Sequence, residues 1–124
     1  MRDVLLSMAA ALAAGAACAQ PAAPAAAAPA APDAARQQQL VRMVRQDCGS
    51  CHGMRLTGGL GPALTREALA DKPVGSMAAT IFHGRPGTPM PGWRAMLSEA
   101  EARWIAERLV QGLPEASPER SVAR

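Results

Sequence analysis

Cys48-Gly49-Ser50-Cys51-His52 is the stretch on which the reading of this chain turns. Two thiols two residues apart, with a histidine directly after the second, read as a c-type haem attachment site. Each sulfur would add to one vinyl group on a single side of the porphyrin. The next residue would then place its imidazole under the iron as proximal ligand. Gly49 and Ser50 are small enough to let the backbone lie against the haem edge. A bare C-x-x-C also occurs in zinc sites and in dithiol oxidoreductases. His52, and the lack of a second cysteine pair, favour haem.

The rest of the 124-residue chain supports one small domain. Residues 1–19 read as a secretory signal peptide. Arg2 is followed by the apolar run Val4–Ala17, and Ala17-Cys18-Ala19 offers a small-x-small cleavage site. The run is short and alanine-rich for a membrane span. A lipid-modified Cys18 is the rival reading, but Gly15 stands where such signals usually carry leucine. Residues 20–32 are almost entirely alanine and proline and read as a semi-rigid linker. The folded domain is expected over 33–114, with a flexible tail at 115–124. Export suits the cysteine count, because only Cys48 and Cys51 remain after cleavage and no disulfide framework is available. The expected location is the periplasm.

A domain of about 80 residues has difficulty building a generous core unaided. Its aromatics are Phe82, Trp93 and Trp104 only. A buried haem would supply the missing apolar volume. Loss of Arg2 and Asp3 with the leader leaves the formal charge at +3. The arginines are scattered without a basic run, so charge makes no case for nucleic acid.

Asp33 is placed to cap a helix from Ala34 to about Gln46, with Leu40, Met43 and Val44 on one face and Asp47 and Cys48 next on that spacing. Gly53 ends the motif, and Gly58, Gly59 and Gly61 predict a flexible stretch closed by Pro62. Thr65 is expected to cap a short helix over 66–71, and Ser76 another over 77–83, stopped by Gly84. Residues 85–92 hold Pro86, Gly87, Pro89, Pro91 and Gly92 and must be loop. Ser98 and Glu101 form a capping box for the strongest helix, striped by Ala102, Ile105 and Leu109, and ended by Gly112 and Pro114. No alternating strand pattern appears. The expected fold is all-α, three to five helices around one haem.

An electron carrier needs a second axial ligand, and a thioether sulfur favours ferrous iron. Met54 is too near His52 to reach the opposite face. Met43 and Met77 fall on helix faces and read as core. Met90, between Pro89 and Pro91, lies on a stiff loop that loses little entropy when a weak bond holds it. Met90 is the expected distal ligand, with Met96 next. His83, at a helix C-terminus, reads as a solvated cap.

Cys48–His52, Gly61-Pro62 and the Met90 loop resemble class I cytochromes c. The resemblance implies that the Pro62 carbonyl accepts the ring N–H of His52, which orients the imidazole and raises its basicity. Gly58-Gly59-Leu60-Gly61-Pro62-Ala63-Leu64, Gly84-Arg85-Pro86-Gly87-Thr88 with Met90-Pro91, and Leu97-Ser98-Glu99-Ala100-Glu101-Ala102 are similar to the small NirC-type cytochromes c, the c-55X group. That likeness spans most of 47–112. It implies a monomeric, monohaem one-electron carrier serving a haem-d-containing nitrite reductase, either by donating electrons or by helping to mature its haem. An upstream electron donor is implied as a second redox partner. Family loops often carry a second proline after Met-Pro, and Gly92 in its place is expected to loosen the loop slightly. Two filled axial positions leave no place for a substrate, so catalysis is not expected. The alternatives are a haem enzyme or gas sensor with an open iron face, and a C-x-x-C dithiol protein.

Overall fold

The computed structural model describes residues 30–113. The expected leader, most of the linker and the tail lie outside the described residues. Helices α1 (Ala34–Met43), α2 (Gly49–His52), α3 (Arg66–Leu69), α4 (Val74–His83) and α5 (Glu99–Gln111) follow in order, and the described residues hold no strand. The fold is all-α, as expected.

The first helix does not stop near Gln46. A π-helical turn, Val44–Cys48, joins α1 directly to α2, so the cysteine motif itself is helical. The Gly49 amide reaches back five residues to the Val44 carbonyl. One residue is thereby inserted into the helical count, and the consequence is a change of face. From Val44, an unbroken α-helix would next turn positions 48 and 51 to the core. The extra residue turns Gly49 and His52 inward instead, while Cys48 is half-buried and Cys51 exposed. Asp47, expected on the inner spacing, is exposed. Ser50 Oγ donates to the Asp47 carbonyl at 2.6 Å, giving that carbonyl a partner within the disturbed turn.

Helix α5 packs chiefly against α4 and is tied to α1 near its start. Asp33 caps α1 by accepting from the Arg36 amide at 2.9 Å. The Ser98–Glu101 capping box opens α5, with bonds of 3.2 and 2.8 Å. Glu101 also accepts from Arg36 Nε at 2.5 Å, so one carboxylate both closes the box and ties α5 to α1. Arg36 Nη2 adds a bond to the Met96 carbonyl at 3.1 Å. At the other end of α5, Arg66 donates to the Gln111 carbonyl and Arg45 to that of Leu113. The core gathers Leu40, Val44, Leu56, Leu69, Leu97, Trp104, Ile105 and Leu109. Leu40, Val44 and Ile105 are the largest fully buried side chains, each worth about 1.5–3 kcal/mol.

Two helix limits differ from expectation. Helix α3, capped by Thr65, ends at Leu69 rather than Asp71. Helix α4 begins at Val74, capped by Pro73 instead of Ser76. Pro73 is extended at ψ 128°, and its carbonyl accepts from the Met77 amide at 3.1 Å, closing the first turn with no side-chain cap. Ser76 lies inside the helix, where its carbonyl accepts from Thr80 Oγ1 at 2.9 Å.

Candidate functional site

His52 is the last residue of α2 and is 8% exposed. Its Nδ1 lies 2.6 Å from the carbonyl oxygen of Pro62. A proline carbonyl can only accept, so Nδ1 carries the hydrogen and Nε2 keeps its lone pair for a metal. The loop that delivers this carbonyl is also the cap of the helix it serves. The amides of Gly61, Gly58 and Leu56 donate to the carbonyls of Cys51, His52 and Gly53 at 2.8, 2.9 and 2.7 Å. These are C-terminal carbonyls that a helix leaves without partners. The glycine-rich stretch is therefore tightly held rather than flexible. At Gly61 a Cβ would stand 2.7 Å from His52 Cε1 and 2.8 Å from Nδ1, so the backbone lies flat against the imidazole. Sequence reasoning gave Pro62 a role at the histidine but gave Gly61 only a place in the loop, although the pair is adjacent.

The two cysteines precede this histidine, and their spacing of three makes them neighbours on the helix surface. Cys48 is half-buried and Cys51 exposed. Burial, then the neighbouring Asp47 charge, pushes the Cys48 thiol up to about 11. The motif also sits at a helix C-terminus, whose negative end disfavours a thiolate.

Met90 belongs to a second loop, built on the same plan. It is half-buried, and the loop turns back through Arg85 N–H to the Met90 carbonyl at 3.2 Å and Thr88 N–H to the Arg85 carbonyl at 3.1 Å. The chain then caps α4, with the Trp93 and Arg94 amides donating to Ile81 and Phe82 carbonyls at 3.1 and 3.2 Å. Gly92 does not loosen this loop. A Cβ there would meet the carbonyl carbon and oxygen of His83 at 2.7 Å, so the glycine lets the loop press against α4. Met43 and Met77 pack on the core as expected, while Met54 and Met96 are 66% and 54% exposed. His83 is exposed at the end of α4, edge-on to Phe82 with ring centres 4.9 Å apart.

Two thiols and an imidazole on one helix end, the imidazole's tautomer set by a proline carbonyl, suit a covalently bound haem c, and a short all-helical domain of this kind is a c-type cytochrome. Residues 25–107 match the family described as "Cytochrome C oxidase, cbb3-type, subunit III". A cytochrome c55X of Stutzerimonas stutzeri is 61% identical over 79 residues, covering 64% of this chain and 70% of the relative. Among solved structures, a c-type cytochrome NirC superposes with TM-score 0.65 at 59% identity, over 70% of this chain and all of that one. Part of a dihydro-heme d1 dehydrogenase, NirN, in complex with DHE, superposes with TM-score 0.53 at 37% identity, over 59% of this chain and 16% of that one. The chain belongs to this family of c-type cytochromes, in its cytochrome c55X group. Its cofactor is haem c, which cytochromes of this kind attach through the C-x-x-C-H spacing that Cys48, Cys51 and His52 present. Among the described residues, no helix is long and apolar enough to cross a membrane.

Proposed function

We propose that this is an exported, monohaem one-electron carrier of the haem-d1 nitrite reductase system. Cys48 and Cys51 hold the haem through thioether bonds, His52 Nε2 is the proximal ligand and Met90 Sδ the distal one. When bound, the haem supplies a one-electron iron couple. The 2.6 Å contact between His52 Nδ1 and the Pro62 carbonyl carries the reading, because it leaves Nε2 as the free donor and makes the imidazole a stronger one. The double-capped loop around it holds that orientation, and the tight turn at Gly92 holds Met90 close to α4. With His52 and Met90 both holding the iron, no place would remain for a substrate, which supports a carrier over a haem enzyme or gas sensor.

The dithiol alternative needs a thiol with lowered pKa, usually at a helix N-terminus. Cys48 has the opposite setting, half-buried, beside Asp47 and in the last turns of a helix. Likeness to part of a dihydro-heme d1 dehydrogenase supports a place near haem d1 chemistry. Such a dehydrogenase must pass its electrons onward, so both electron donation to the reductase and service during haem maturation fit a small carrier. Its partners are then larger redox proteins in the periplasm, met by a monomer.

The purified exported protein tests the reading. The expected product is coloured, with covalent haem and a low-spin spectrum. A high-spin spectrum would establish an open iron face, and a colourless protein a dithiol. Met90→Ala should keep the haem, lower the potential and let carbon monoxide bind the ferrous form. If Met96→Ala does this and Met90→Ala does not, the distal assignment fails.

A further inference from the structure

Leu56 is the one non-glycine residue with positive φ, 60°, among the described residues. A bulky side chain is disfavoured there because Cβ crowds the following carbonyl. The leucine is nevertheless anchored in the core, 4% exposed, in the cluster with Leu40, Val44 and Leu69. Both of its backbone groups close the site loop. Its amide donates to the Gly53 carbonyl at 2.7 Å, and its carbonyl accepts from the Leu64 amide at 2.8 Å. The first bond fastens it to the residue after His52, the second to the residue two beyond Pro62. Leu56 is thus the clasp of a ring of chain inside which Pro62 lies. Glycine or asparagine would take the same backbone without strain. Neither would give the ring an apolar anchor. Strained residues held by their surroundings gather at functional sites, and here the strained residue stands beside the one bond that orients His52.

We infer that Leu56 is a positioning residue for the haem histidine. Its anchored left-handed backbone holds the Pro62 carbonyl against His52 Nδ1–H. The inference rests on the proposed role of His52, so the test needs one readout that depends on iron ligation and one that does not.

The holoprotein is compared with Leu56→Gly, Leu56→Met and, as a buried control on α3, Leu69→Ala. Hydrogen exchange of His52 Nδ1–H, followed by NMR, reads the bond to Pro62 directly. The reduction potential reads its effect on the iron. Leu56→Gly should speed the exchange at least tenfold and raise the potential, since a weaker bond leaves a less electron-donating imidazole. Leu56→Met, which keeps an apolar anchor, should restore wild-type exchange. Leu69→Ala should lower the denaturation midpoint and leave both readouts in place. Should Leu56→Gly yield no holoprotein, Leu56→Asn, close to leucine in size and tolerant of positive φ, should show the same acceleration. Unchanged exchange in whichever of these two variants folds, or equal acceleration in Leu69→Ala, would overturn the inference. Faster exchange with an unmoved potential would support the clasp on the loop and refute its effect on the iron.

Discussion

Gly92→Ala should release Met90, the proposed distal ligand, from the iron without altering Met90 itself. The added methyl would stand 2.7 Å from the carbonyl carbon and oxygen of His83 and 2.9 Å from the Phe82 oxygen. All three are backbone atoms at the end of α4, so no side-chain rotation relieves them. Reaching ordinary contact, at about 3.4 Å, requires the loop to retreat by roughly 0.7 Å in a closely packed setting. The retreat has no local outlet. Trp93 and Arg94 are hydrogen-bonded to α4 on one side of Gly92, and Gly84 faces it so closely that a Cβ there would lie 2.6 Å from the Gly92 nitrogen. Overpacking of this kind costs about 1–3 kcal/mol. The cost falls only on the docked loop, so the open form gains about 5- to 150-fold in population, at 1.4 kcal/mol per factor of ten. Carbon monoxide needs the open sixth position. Its binding to the ferrous holoprotein, followed by stopped flow, should therefore accelerate by that factor, with a fall in potential. A folded Gly92→Ala protein that binds carbon monoxide no faster than wild type would refute the reasoning.

Gly75→Ala is the opposite case, since nothing lies within 4 Å of the new methyl. It should stabilise α4 by about 0.5–1 kcal/mol and raise the calorimetric midpoint without changing the visible spectrum. Acid should weaken the α1–α5 tie, because the Arg36 hydrogen bond, and after it the Ser98 amide, hold the Glu101 carboxyl below its ordinary range. The folded value is depressed, so this stabilisation is complete above about pH 5 and is lost as the pH falls through the folded value. Denaturant titrations of wild type should lose stability over that acid range more steeply than those of Glu101→Gln. Arg85→Glu and Arg94→Glu, at exposed positions on either side of Met90, should slow association with an acidic redox partner, leaving spectrum and potential unchanged. Added salt should slow the wild-type reaction as well, and rates indifferent to salt and to both reversals would assign the contact to apolar surface.

Much of the fold is written in short-range chemistry. Asp33, Thr65 and the Ser98–Glu101 box each cap the helix they precede, because a cap needs only a side-chain oxygen beside free amides. Ser76 misleads for the same reason. It has the right oxygen, but Pro73 upstream already provides an extended residue whose carbonyl starts the helix. Proline's preference for a helix's opening would have marked that start three residues earlier. The π-helical turn has no such signal. Leu40 and Val44 set a helical period that continues through Cys48 without offence, and it is the burial of Gly49, whose amide reaches the Val44 carbonyl, that shows the period has slipped.

That slip, and the two loops, share one physical logic. A helix end exposes carbonyls that need donors, and whatever chain supplies the donors is held there. At α2 the donors come from residues 56–61, so the next residue, Pro62, is carried to His52. At α4 they come from Trp93 and Arg94, so the Met90 turn just before them is held as well. Composition announces both segments as loops, since glycine and proline exclude helix and strand. It does not say that the glycines serve close approach. Gly61 against the imidazole and Gly92 against the His83 carbonyl are positions where a side chain would hold two surfaces apart. The loops are therefore rigid because they are rich in glycine, and the capping of a helix brings the Pro62 carbonyl to the His52 imidazole at α2 and holds the Met90 turn at α4.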